Sequence, residues 1–285
     1  MDSREYAVVE LQDGLDRGEW TAVSLCEAFL DRIDRIDRAG PKLNAIIELN
    51  PDALEIASQL DHERANQGRR SVLHGVPILV KDSIDTGDKM MTTAGSIALE
   101  GNLAPKDAYV VDRLRKAGAV ILGKTNMSEW GYMRSTRGCS GWSSRGGQVR
   151  HPYVLDRNPC GSSSGSAVAV AANLCTAALG AEVDGSIVRP SSINGIVGLK
   201  PTVGLLGRSG VIPVASPQDT VGPMGRCVAD VAALLSVMTG EDPRDPTTKE
   251  SRGRALDDYC KCLDGESLSG ARLGVARDFF GFHEG

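Results

Sequence analysis

Three short apolar runs limit the folds open to this chain. Val76-Pro77-Ile78-Leu79-Val80, Ala119-Val120-Ile121-Leu122 and Ala177-Ala178-Leu179-Gly180-Ala181 carry no polar alternation and are too short for buried helices. Each reads as a strand covered on both faces. Helical patterns lie between them. Residues 107–117 read as a helix stopped by Gly118, 165–173 as a second, and 227–238 as an amphipathic helix with Val228, Val231, Leu234 and Leu235 on one side. Residues 3 to about 67 read as helical, with Leu11, Leu15, Leu25, Phe29, Ile33 and Ile36 at helical spacing. Within that stretch Thr21 or Ser24 serves as a cap, Gly40-Pro41 as a break, and Pro51-Asp52 as the start of a third helix. Arg272-Leu273-Gly274-Val275-Ala276 reads as a last strand. Helices alternating with buried strands give an α/β fold, a mixed and mostly parallel central sheet flanked by helices. We divide the chain into a helical N-terminal segment, 1–70, and a single α/β core, 71–285. The 33 glycines, against four Phe, five Tyr and three Trp, suit close helix–strand packing.

Composition excludes several classes of function. With 41% hydrophobic and 24% charged residues the chain is globular rather than disordered. A net charge of −5 gives no support for a nucleic-acid partner. The N-terminus lacks the apolar segment of a secretory signal, and no run approaches a membrane span. The cysteines, at 26, 139, 160, 175, 227, 260 and 262, are odd in number, which suits a reducing compartment; we expect a cytoplasmic protein. Cys260-Lys261-Cys262 does not have zinc-site spacing and the histidines are scattered, so no metal is implied. The irregular stretches 82–106, 126–161 and 200–225 are long enough to be functional loops, and 240–268 reads as a polar surface excursion.

One motif is a decoy. Gly118-Ala119-Val120-Ile121-Leu122-Gly123-Lys124-Thr125 satisfies the phosphate-loop pattern G-x-x-x-x-G-K-[ST]. Its variable positions, Ala-Val-Ile-Leu, belong to a strand rather than to a loop that wraps phosphate. Gly118 follows a helical pattern and is better placed as its cap.

Two serine-bearing glycine segments carry more. Cys160-Gly161-Ser162-Ser163-Ser164-Gly165-Ser166-Ala167 is either a flexible linker or, because an apolar helix follows at once, a turn that aims backbone N–H groups at one spot. Gly180-Ala181-Glu182-Val183-Asp184-Gly185-Ser186-Ile187 follows an apolar strand, and its turn can present successive N–H groups as an oxyanion hole. A nucleophilic serine needs a base, and none of His62, His74, His151 and His283 has a catalytic setting. Lys81 ends the first apolar run. Burial there could make it a neutral base; equally, its side chain could snorkel out from a strand end.

Five segments then occur together in one order: Gly75-Val76-Pro77-Ile78-Leu79-Val80-Lys81-Asp82, Gly123-Lys124-Thr125-Asn126-Met127-Ser128-Glu129-Trp130, Gly161-Ser162-Ser163-Ser164-Gly165-Ser166, Asp184-Gly185-Ser186-Ile187 and Gly198-Leu199-Lys200-Pro201-Thr202. In these the chain, from about 70 to 240, resembles the amidase signature family. It is also similar to the amide-releasing A chain type of glutamyl-tRNA amidotransferase. The resemblance implies a Ser–Ser–Lys triad on a mixed α/β sheet. Ser186 would be the nucleophile that forms an acyl-enzyme, Ser162 the bridging serine after a cis peptide, and Lys81 the base. The N–H groups of Val183, Asp184, Gly185 and Ser186 would form the oxyanion hole. It implies a small-molecule amide as substrate and no cofactor. Many members have Gly-Gly-Ser where this chain has Asp184-Gly185-Ser186. Members are also longer, so the chain resembles a member truncated at its C-terminus. On that reading it is expected to be poorly soluble or a homo-oligomer and weakly active. An inactive fragment and the amide-releasing subunit of a tRNA-dependent amidotransferase are the alternatives.

Overall fold

The computed structural model describes residues 4–133, 135–263, 265–266 and 268–277. Helices α1 (Val8–Asp16) and α2 (Ala22–Arg32) open the chain, and α2 runs on through a π-helical turn at Ile33–Arg38. Strand β1 (Ile46–Leu49), helix α3 (Ala53–Gln67), strand β2 (Pro77–Lys81), helix α4 (Tyr109–Lys116) and strand β3 (Val120–Thr125) follow. A small two-stranded excursion, β4 (Trp142–Ser143) and β5 (Gly147–Gln148), precedes α5 (Ser164–Ala171) and β6 (Ala177–Glu182). The described elements continue with α6 (Val188–Ile193), β7 (Val197–Gly198), β8 (Thr220–Gly225) and α7 (Val228–Met238).

The main sheet has the order β1-β3-β2-β6-β8-β7. Its centre is parallel, with β2 paired to β3 on one side and to β6 on the other. β1 is antiparallel to β3, β8 to β6, and β7 to β8, which makes the sheet mixed around a parallel core. The unbroken apolar runs have a direct cause. Ile78 and Val80 belong to one core cluster, with residues of α1, α4 and α7; Leu79 belongs to the other, with residues of α2, α3 and α5. Both faces of the sheet are covered, so both sets of alternating side chains must be apolar. Among the described residues, no helix is long and apolar enough to cross a membrane.

Three readings of the sequence need correction. Residues 46–49, expected to be helical, form β1. The backbone turns through left-handed conformations at Lys42 and Asn44, and the buried Asp37 carboxylate accepts the N–H groups of Ala45 and Ile46 at 2.6 and 3.1 Å. That leaves β1 free to pair along β3. Residues 220–225, assigned to an irregular stretch, form β8, the strand next to β6. Gly222 and Pro223 disguise it, since both are poor strand formers. The Pro223 carbonyl accepts from Leu199 N at 3.1 Å, just beyond the short β7, where a missing N–H costs little. Residues 272–276 are irregular rather than a strand; Leu273 and Val275 lie exposed, with no strand beside them among the described residues.

Helix ends behave as local chemistry requires. Thr21 caps α2, its Oγ1 accepting from Ser24 N at 3.0 Å while Ser24 Oγ accepts from Thr21 N at 2.9 Å. Gly118, at φ +87°, ends α4. The strand that follows absorbs the phosphate-loop motif. β3 is buried along its whole length, and Lys124 Nζ donates inward to Ile84 O at 2.6 Å and Thr92 Oγ1 at 3.0 Å. No loop is left to wrap phosphate. The purified protein should therefore show no ATP or GTP affinity by calorimetry; micromolar binding abolished by Lys124→Ala would contradict the strand assignment.

Candidate active site

The carboxyl ends of the neighbouring parallel strands β2 and β6 meet the amino end of α5, a usual place for a site in an open α/β sheet. Lys81 is the last residue of β2 and Glu182 the last of β6. Ser162 lies just before α5, and Ser186 sits on the turn after β6.

The serine-rich segment is not a flexible linker. Ser162, Ser163, Ser164 and Ser166 are all buried. Ser163 Oγ bonds the backbone of Ala181 at 3.2 Å, Ser164 Oγ donates to Cys160 O at 2.6 Å, and Ser166 Oγ donates to Leu179 O at 2.8 Å. The run thus fastens the first turn of α5 to β6. Gly165 permits the approach, because a Cβ there would collide with backbone atoms of Ala45 and Asn126. Gly161 is equally constrained: a Cβ would collide with Ser128 Oγ and Ser164 Oγ. The Gly161–Ser162 peptide is cis. Ser128 holds this bend by donating its N–H to Ser162 O at 3.1 Å and accepting Gly141 N at 2.8 Å.

Lys81 is fully enclosed, with 2% of its surface exposed. Its Nζ donates to Ser162 Oγ at 2.7 Å and to Ala181 O at 2.9 Å. It does not snorkel. Burial pushes its ammonium down to about 7, against the opposing pull of Glu182 and Asp219. Roughly half of such a lysine is neutral near pH 7, against well under ~0.1% for a free one.

Ser186 is partly exposed and lines the same cavity, of about 610 Å³, as Lys81 and Ser162. Its carbonyl accepts Ser163 N at 3.1 Å, tying the two serine segments together. No hydrogen bond joins Ser186 to Ser162 among the described residues; such contacts are often loose before substrate binds. Trp130, Tyr132, Met133, Val211, Pro213 and Val214 give the cavity apolar walls.

Of the N–H groups expected to face an oxyanion, those of Val183, Asp184 and Ser186 have no hydrogen bond among the described residues. Gly185 differs. Its N–H donates to Glu182 Oε1 at 2.9 Å, while Glu182 Oε2 takes Ile187 N at 2.6 Å and Val188 N at 2.9 Å. The Gly185 amide is thus turned toward Glu182. The exposed Asp184 side chain lies 3.5 Å from Arg189, and both residues line the cavity.

Glu182 is the functional residue that the sequence reading missed. The signal was present, a lone carboxylate closing an apolar strand directly before a Gly-Ser turn. Its carboxylate gathers three N–H groups and so fixes the turn that carries Ser186. Glu182→Ala would leave buried donors without partners, at a cost of about 3 kcal/mol. The thermal unfolding temperature should drop by roughly 5–10 °C. A change under about 1 °C would show that the turn holds without it.

Comparison with known proteins identifies the family. The amidase family model matches residues 25–284. The native peptide amidase of Stenotrophomonas maltophilia is 55% identical, with a TM-score of 0.91 over 93% of this chain and 54% of that one. An amidase family protein of Bacillus anthracis is 41% identical, with a TM-score of 0.89 over 92% of this chain and 52% of that one. A putative amidase of Schizosaccharomyces pombe is 49% identical over 95% of this chain and 46% of its own length. A glutamyl-tRNA(Gln) amidotransferase component of Symbiobacterium thermophilum is 47% identical over 93% of this chain and 52% of its own length. The chain belongs to the amidase family. It spans about half the length of the relatives it matches.

Proposed function

We propose that this chain carries the catalytic residues of an amide hydrolase, with Ser186 as nucleophile, Ser162 as proton bridge and Lys81 as base. The observation that carries the reading is the buried 2.7 Å contact of Lys81 Nζ with Ser162 Oγ, in the cavity that Ser186 lines. With Lys81 neutral, the Ser186 hydroxyl proton passes to Ser162 Oγ as the Ser162 proton passes to Nζ. Ser186 Oγ bonds the amide carbon, and the carbonyl oxygen becomes an oxyanion facing the amides of Val183, Asp184 and Ser186. The proton returns through Ser162 to the leaving nitrogen, the C–N bond breaks, and the acyl group remains on Ser186. Water then attacks the ester by the same relay, releasing the acid and restoring the serine.

The apolar walls suit an acyl group with apolar substituents. The amidotransferase relative supplies a second reading, favoured by the 47% identity. It uses the same acyl step and differs in where the released ammonia goes. The seven cysteines are free, in keeping with a cytoplasmic protein. The experiment is a screen of short aliphatic, aryl and peptide C-terminal amides for ammonia release, with co-purification for partner chains. Turnover by the chain alone supports the hydrolase. Turnover only with co-purified partner chains supports the amidotransferase, and failure to hydrolyse any amide in either state would overturn both.

A further inference from the structure

One wall of the cavity is held by an ion pair whose two residues, Arg208 and Asp245, themselves line the cavity. Residues 209–212 are fixed to the chain after β2: Gly210 O accepts Asp85 N at 2.8 Å, and Ile212 N donates to Ser83 O at 2.9 Å. Residues 213–219 have no such sheet-like support. They curl on themselves, with the Asp219 carboxylate accepting Val214 N and Ala215 N at 3.1 Å. This curl brings Val214 over Gly131, so closely that a Cβ there would lie 3.2 Å from Val214 Cγ2 and 3.9 Å from Ser162 Oγ. It is gripped by Arg208, whose Nη1 donates to Ser216 O and, at 3.3 Å, to Asp219 O.

Arg208 is itself locked. Asp245 accepts Arg208 Nε at 2.8 Å and Nη2 at 3.0 Å, and Thr247 Oγ1 accepts Nη2 at 3.1 Å. The pair is mostly buried, with 14% of the arginine and 7% of the aspartate side chain exposed. Burial pushes the Asp245 carboxyl up, but hydrogen bonds from Arg208 and Thr247 outweigh it and hold the group below the ordinary carboxylate range. A fork bound on both edges is fixed in plane, so its remaining nitrogen delivers the two carbonyls to a set place.

We propose that Arg208, locked by Asp245, is a positioning residue that sets the 213–219 wall of the acyl pocket, and so governs which acyl groups reach Ser186. The proposal rests on the reading of Ser186 as the acylated residue. Asp245 lines the cavity too and caps the turn that follows it; the role assigned here to it and to Thr247 is to hold the Arg208 fork.

The test compares the full chain with Asp245→Asn and with the milder Thr247→Val. Two probes are used, a methyl fluorophosphonate and one bearing a naphthyl group, with hydrogen exchange read by mass spectrometry. In Asp245→Asn the naphthyl probe should label Ser186 about tenfold more slowly, as a displaced wall would cause, while the methyl probe changes by less than about twofold. Exchange over 213–219 should speed up by about tenfold, with that over 177–182 unchanged. Thr247→Val should shift both readouts the same way by less. Equal slowing of both probes, or unchanged exchange over 213–219, would overturn the clamp. Should Asp245→Asn fail to fold, Thr247→Val decides by the same criteria. Wild-type protein that takes neither probe at Ser186 would refute the acylation reading, while the exchange measurement still decides the clamp.

Discussion

Ser186→Ala should take up no fluorophosphonate and lose hydrolysis down to background, a fall of about 10⁶-fold if the serine acts as part of a nucleophilic unit. The fold should survive. Ser186 ties the two serine segments through its backbone carbonyl, which accepts Ser163 N, and alanine keeps that carbonyl. The cradle of Glu182 around the turn also uses only backbone N–H groups of its neighbours. Unfolding temperature and circular dichroism should match wild type. Persistent labelling of the variant at another serine would assign the nucleophile elsewhere.

Lys81→Ala should lower kcat/KM by about 10⁴-fold, the upper range for removing a positioned base. The histidines offer no substitute. His74 Nε2 faces Leu60 O at 2.9 Å and His151 Nε2 faces Ile193 O at 3.1 Å. His62 lies on α3, and His283 falls outside the described residues. Lys81→Arg should not rescue, because a guanidinium stays protonated and cannot accept the Ser162 proton. A merely structural cation would be partly replaced by arginine, so recovery of activity in that variant would contradict the base assignment. Steady-state kinetics on the three proteins decide it.

The parallel centre of the sheet was legible because β2, β3 and β6 are covered on both faces, which makes the runs 77–80, 120–122 and 177–181 apolar without alternation, the polar residues falling at the strand ends. Lys81 was legible as a charge at the end of such a run, but the sequence could not say whether it turned inward or outward. That depends on Ser162 and Ala181, far along the chain, which together supply its partners. β8 was hidden because Gly222 and Pro223 are locally poor for a strand, and only pairing with β6 overrides that preference. The Gly185 amide illustrates a second limit. A motif identifies which N–H groups lie on a turn, whereas their direction is set by the acceptor, here Glu182. Buried ion pairs were out of reach for the same reason. Glu48 meets Arg145 across 97 residues and Arg208 meets Asp245 across 37, distances at which residue spacing carries no signal.

The most direct test of the relay is the pH dependence of Ser186 phosphonylation in wild-type protein, followed with the small methyl fluorophosphonate so that product release does not limit the rate. The protonated ammonium of Lys81 cannot accept a proton, and burial brings its loss of charge down to about 7. Phosphonylation should therefore rise about tenfold per pH unit at acid pH, bend near that value and level off above about pH 8. In Lys81→Ala the bend should vanish along with most of the rate. A profile that stays flat from about pH 6 to 9, with the label mapped to Ser186, would contradict a lysine base and with it the assignment of this cavity as a Ser–Ser–Lys amidase site.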